Sequence, residues 1–210
     1  MERIAARQAE LMLATARVGD PSEDPGMRRM RPALARLNAL GLATVDSQTG
    51  VKRPGHWQRA YVHGLATRET ARALEDALRG SDTALVLVFP HGDSAPKGAQ
   101  THAFARLPRL DLTLQGPRGA REACTRQPLG CGAKFSEMWG GLLPELLEEL
   151  EASEGGAAAL SRLRARCRRE SVQVFAFDPR WGRAAGLFEE LARALRRAPP
   201  PPPRAARPTA

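Results

Sequence analysis

The stretch TVDSQTGVKRPGHWQRAYVHG, residues 44–64, decides how the chain folds. Its first residues are partly β-branched and end in a turn-forming Asp-Ser cluster. From Gln58 to Leu65, Ala60 and Val62 alternate with Arg59, Tyr61 and His63, the period of two expected of a strand with unlike faces. The spacing predicts a hairpin whose loop covers residues 48–57. Such a hairpin is either the wing of a winged helix, with Lys52 and Arg53 reaching phosphates, or part of a larger sheet.

The flanking sequence separates these readings. Upstream, Met30, Leu34 and Leu37 recur at helical intervals, with Pro32 suited to a first turn and Gly41 to a C-terminal cap. Downstream, Thr67 suits an N-cap, Glu69 a first turn, and Ala71, Leu74 and Leu78 form one apolar stripe, which predicts a helix over 68–79. TALVLVFP, residues 83–90, is the most apolar segment and reads as a central strand buried on both faces. Strand, helix and strand in that order predict a βαβ unit with a parallel strand pair. A winged helix leaves the strong strands at 83–89 and 171–177 without a place. The expected fold is therefore α/β or mixed α+β: one sheet with a β-hairpin and a βαβ unit, flanked by helices. A winged helix with a C-terminal extension is the alternative.

At this point the residues resemble a known family. Leu37, Asn38, Gly41, Thr44, Ser47, Gln48, Gly50, Gln58, Arg59, Ala60 and Gly64 are similar to the motif of an uncharacterised family of short proteins from actinobacteria and large DNA viruses. Thr49 stands where that family has proline. The resemblance covers roughly residues 30–65 and implies no activity.

The rest of the chain supplies further elements. Ile4, Leu11 and Val18 give an amphipathic helix over 2–18, and GDPSEDPG, residues 19–26, reads as a loop. Weaker strands are expected over 101–106 and 109–114. Helices are expected over 135–152, kinked at Pro144, over 157–169, and through Leu187, Phe188, Leu191 and Leu195. Prolines 199–203 end the folded part, so one domain over 1–198 and a disordered Pro/Arg-rich tail over 199–210 are expected. That tail is similar to ligands of aromatic-grooved adaptor modules, which makes protein partners a second class of partner.

Composition bounds the function. No apolar run approaches the roughly 18 residues of a membrane span, and Glu2, Arg3, Arg7 and Glu10 interrupt what would be a secretory signal. The expectation is an intracellular chain, cytoplasmic or nuclear, with no membrane partner. A formal charge of +9 raises nucleic acid as a partner. All but three of the 32 basic residues are arginine, however, a bias that GC-rich coding produces unaided, so their distribution says more than their sum. SRLRARCRRE, residues 161–170, places Arg162, Arg166 and Arg169 on one helical face. That face either tracks phosphates or pairs with Glu145, Glu148, Glu149, Glu151 and Glu154 of the preceding helix; the acidic partner is favoured. The three cysteines, Cys124, Cys131 and Cys167, lack CxxC spacing and nearby histidines, so neither a disulfide, a metal nor another cofactor is expected.

Candidate site residues fall into two groups. Asp46, Ser47, Gln48, His56, Gln58 and Arg59 share the hairpin's loop end. There the glutamines offer donors and acceptors and Arg59 a fork for an anion; the blander alternative is an Asp46–Arg59 cross-strand pair, and it is preferred. His63, Gly64, His91 and Asp93 would lie at the opposite, carboxyl edge, where α/β sheets bind ligands. Asp178, Arg180 and Trp181 would join them if the last strand were parallel. A histidine beside a carboxylate suits a general base, yet no GxSxG elbow, glycine-rich phosphate loop or HExxH helix occurs. The sequence therefore favours a non-enzymatic binding or accessory protein with nucleic acid as partner, over a small hydrolase or nuclease-like enzyme using strand-end Asp and His residues.

Overall fold

The computed structural model describes residues 1–18, 25–54, 56–89, 102–105, 135–182 and 186–197. In chain order these form α1 (Glu2–Val18), α2 (Pro25–Ala39), β1 (Ala43–Gln48), β2 (Val51–Arg53), β3 (His56–Ala66), α3 (Arg68–Ala77), β4 (Ala84–Val88) and β5 (His102–Ala105). There follow α4 (Phe135–Gly140), α5 (Pro144–Glu154), α6 (Ala157–Glu170), β6 (Val172–Trp181) and α7 (Gly186–Arg197). The architecture is mixed α+β, and its sheet runs β1–β3–β6–β4–β5, with β2 also paired to β3. The expected strand over 109–114, His91, Asp93, Cys124, Cys131 and the tail from Ala198 lie outside the described residues. Among the described residues no helix is long and apolar enough to cross a membrane.

A central sheet excludes the winged-helix alternative. The βαβ unit is present in altered form. β3 and β4 run in the same direction, as their connection through α3 predicts, but β6 lies between them and is antiparallel to both. Among the described residues every strand pair is antiparallel, because β6 takes the place between β3 and β4. The hairpin also differs: the segment expected as loop contains β2, whose Val51 and Arg53 stand opposite Gln58 and His56. Thr49 and Gly50 lie between the two ladders, as do Arg59 and Ala60 on β3.

Alternation sorts the sheet into two faces. The rows Ser47–Val62–Ala176–Leu85 and Thr44–Gly64–Val174–Leu87 point one way. They meet the apolar stripes of α2 (Met30, Leu34, Leu37), α3 (Ala71, Leu74, Leu78) and α7 (Leu187, Phe188, Leu191, Leu195) in the larger core. The opposite rows are Ala43–Leu65–Gln173–Val88, Asp46–His63–Phe175–Val86 and Gln48–Tyr61–Phe177–Ala84. Ala43 and Leu65 are covered by Ile4 and Ala5 of α1, by Met138, Trp139 and Leu142, by Leu146 of α5, and by Leu163 and Cys167 of α6. Phe175 and Phe177 pack with Ala84, Val86 and Tyr61 in a smaller cluster; the fully buried Phe177 alone contributes about 2–3 kcal/mol of transfer free energy.

Local chemistry sets the element ends. Thr67 caps α3 as expected, its Oγ1 accepting from the Thr70 amide at 3.1 Å. Residues 135–152 are not one kinked helix: Pro144 opens α5 as its first residue, where a missing N–H costs nothing. Pro32, expected in a first turn, lies inside α2 instead, in a helix held by the burial of Met30, Leu34 and Leu37.

The turn from α2 into β1 is closed by Asn38. Its Nδ2 donates to the Leu34 carbonyl at 2.8 Å and to Thr44 Oγ1 at 2.7 Å, while its Oδ1 accepts from the Thr44 amide at 3.0 Å. Gln8 of α1 adds a bond from its side-chain amide to the Thr44 carbonyl. Gly41, at φ +94°, reverses the chain at the helix end, and the Leu42 amide reaches back to the Leu37 carbonyl at 3.1 Å. Across the ladder a Cβ on Gly64 would lie 2.7 Å from the Ala43 carbonyl oxygen. Because backbone cannot swing aside as a side chain can, Gly64→Ala should cost about 1–3 kcal/mol. Thermal unfolding checks this; a melting temperature equal to that of the wild type would show that β1 and β3 approach less closely.

Candidate functional site

The residues singled out from the sequence do not gather where expected. Asp46 and Ser47, adjacent in β1, project from opposite faces of the sheet. Asp46 stands opposite His63 and Ser47 opposite Val62. His63 is thus not at the far edge from the hairpin group but beside its first carboxylate. The preferred Asp46–Arg59 pairing is replaced as well: Tyr61 Oη donates to Asp46 Oδ2 at 2.9 Å, and Arg59 is buried at the gap in the ladder, where its pairing with β6 is out of register with that of Tyr61. Gln48 faces Tyr61, and Lys52 is exposed on β2, its backbone against Gly182. Arg53 and Gln58 belong to the β2–β3 ladder, but their side chains lie outside the described residues.

Because β6 is antiparallel, Asp178 and its neighbours go to the hairpin end of the sheet, not to the carboxyl ends of β3 and β4. Trp181 stands opposite Arg59. Asp178 is buried and its Oδ1 accepts from the Arg180 amide at 2.9 Å, a local turn bond. Arg180 in turn pairs with Asp82. Asp178 follows Phe175, the residue opposite His63, by three positions, and three positions span about 10 Å along a strand.

The cluster that does form is Asp46, Tyr61 and His63, backed by Phe175. The His63 ring meets Phe175 edge-on with centroids 5.6 Å apart, and Tyr61 lies tilted over the same ring at 5.9 Å. His63 is 5% exposed, and its Nε2 makes no hydrogen bond among the described residues. Burial pushes the imidazole down to about 4, against the opposing pull of the Asp46 carboxylate; it is a neutral ring at neutral pH. Burial, and secondarily Asp46, pushes the Tyr61 phenol up. A general base needs contact with substrate and a pKa near working pH. Burial and a lowered pKa both weigh against that role for His63, and among the described residues no carboxylate bonds its Nε2. The sequence missed this cluster because it depends on the register of β1, β3 and β6; the only signal was the shared parity of Tyr61 and His63. Among the described residues no group of three His, Cys, Asp or Glu side chains could hold a metal ion.

The second candidate surface is α6. Ala159, Leu163 and Cys167 bury its inner stripe. Arg162, Arg164, Arg166, Arg168 and Arg169 are exposed, and none of them forms an ion pair among the described residues. The favoured acidic partner is therefore a correction. Glu149 of α5 turns to α1, accepting from Arg7 Nε and Nη2 at 2.7 Å each, a fork that holds its carboxyl below the ordinary range. Leu146 of α5 and Leu163 and Cys167 of α6 share one core cluster, and the charged residues of both helices stay in water.

Residues 8–101 match a family described as a domain of unknown function (DUF6919). No curated protein matches the chain. The matched segment contains β1 through β4 and ends before α4.

The buried imidazole has a thermodynamic signature. Its folded pKa, about 4, lies below the ordinary 6.5, so the unfolded chain binds the extra proton. The neutral ring's full contribution is present above pH 6.5 and is lost as the pH falls to 4, up to about 3 kcal/mol. In denaturant unfolding, His63→Gln should flatten the fall in stability between pH 6.5 and 4 relative to wild type. Parallel curves for the two proteins would mean that His63 titrates normally.

Proposed function

We propose that this protein is a non-enzymatic, nucleic-acid-associated binding protein whose contact surface is the solvent face of α6. The observation that carries the reading is the set of five exposed arginines that form no ion pair among the described residues. Arginine charge unengaged by carboxylates is available to phosphate, which the planar guanidinium meets in a two-pronged geometry. The closed surroundings of His63 favour binding over the alternative of a hydrolase or nuclease. Its Nε2 is buried and makes no hydrogen bond among the described residues, which supports binding over acid–base chemistry at this position. The net charge of +9 supports the same partner through long-range attraction.

Fluorescence anisotropy of labelled nucleic acid against the full chain tests this. Binding should weaken steeply with salt, since each phosphate neutralised contributes about 0.9 to the slope of log K against log salt on duplex. The triple variant Arg162→Gln, Arg166→Gln, Arg169→Gln should lower that slope by up to about 2.7. No binding by the wild type, or an unchanged slope in the variant, would sink the proposal.

A further inference from the structure

We infer that α6 docks lengthwise in the major groove of B-form DNA, gripping the phosphates of both walls, and this rests on the nucleic-acid reading above. The distribution of residues around the helix carries the inference. At about 100° per residue, the point opposite the buried stripe Ala159, Leu163 and Cys167 is occupied by Ser161 and Ala165, with Ala158 beside them. All three are exposed and small, so the helix crest is low from Ala158 to Ala165, with Arg168 beside it in the last turn. On one flank stand Arg162, Arg166 and Arg169; on the other stand Arg164 and Arg168. A helix with side chains is about 10–12 Å across, and the major groove of B-DNA is about 12 Å wide. A low crest lets the backbone approach the groove floor, and arginines on both flanks then meet both strands. The α6 sequence, AAALSRLRARCRRE, holds no aromatic residue, so it offers no platform on which unpaired bases could stack. The deep, narrow major groove of A-form RNA excludes a helix of this width.

The neighbouring helix bounds the surface. Glu148, Glu151 and Glu154 of α5 are exposed and repel the same backbone, so the contact ends at α6. Neutralising them strengthens binding.

The test compares a DNA duplex, the corresponding single strand and an RNA duplex of equal length with the full chain, by anisotropy at 50 and 200 mM salt. The DNA duplex should bind at least about tenfold more tightly than either competitor, as two gripped strands release more counterions than one. Glutamine at Arg162, Arg166 and Arg169, or at Arg164 and Arg168, should each weaken duplex binding, lowering the salt slope by up to about 2.7 and about 1.8. Ala165→Trp, which raises the crest on a solvent-facing position, should weaken duplex binding without weakening the single strand. Equal affinity for single strand or RNA duplex, dependence on one flank only, or indifference to Ala165→Trp would overturn groove docking while leaving a general phosphate surface. Absence of binding to every nucleic acid, or full binding after all five arginines are replaced, would overturn both readings.

Discussion

A buried amide, Asn38, fixes where β1 begins, and the irregularity between Thr44 and Asp46 sets the parity of the rest of the strand. By bonding the main chain at Leu34 and both the amide and hydroxyl of Thr44, Asn38 determines where α2 stops and on which face β1 begins. In a strand a slip of one residue exchanges faces for every side chain. Here that slip would carry Asp46 into the helix-covered core and turn Ser47 toward the aromatic face. Gly41 and Gly64 serve the same end, the first by reversing the chain and the second by admitting the Ala43 carbonyl. The residues that stand out as a motif in the sequence thus include several whose role is architectural, and Thr44 is used for its backbone as much as for its side chain.

Much of the fold was legible because its elements follow local rules. The Thr67 cap, the stripe Ala71, Leu74, Leu78 and the apolar runs of β4 and β6 each declare themselves within a short window. Strand order does not. Nothing in SVQVFAF, residues 171–177, says that it will lie between two strands from the first half of the chain, so the direction of β6, and with it the place of Asp178, stayed open. The candidate site was legible only in its ingredients. Asp46, Tyr61 and His63 were visible as polar residues on a hairpin, but whether Asp46 meets Arg59 or His63 depends on the register of β1 against β3, which shifts between Thr44 and Asp46. On α6 the amphipathic pattern was plain, whereas the partner of its arginines depends on which way α5 rotates, and in this structure Leu146 faces the core while Glu149 pairs with Arg7.

The molecule handles its polar groups in two contrasting environments. On the sheet two of them are kept uncharged: His63 is held neutral and Tyr61 is kept protonated beside Asp46. On the helices they remain in water, where pairs such as Arg36–Glu189 and Arg72–Glu75 add little to stability. Two arginines do a third thing. Arg68 and Arg72 lie over the Phe89 ring at 5.2 and 4.5 Å, covering the end of β4 with guanidinium planes.

The central position of β6 also governs how the chain must reach this structure. Ala66 waits for a partner, Val172, about 100 residues downstream, and closing so long a loop delays pairing without making it unfavourable. Until synthesis passes Trp181, β3 and β4 each present an unfilled edge, and the segment resembling the uncharacterised family has no strand with which to join them. Nascent chains therefore pass through a period in which two apolar edges are open to misassociation. Assembly should be slow and all-or-none, paced by the last strand to emerge rather than by the helices that form first.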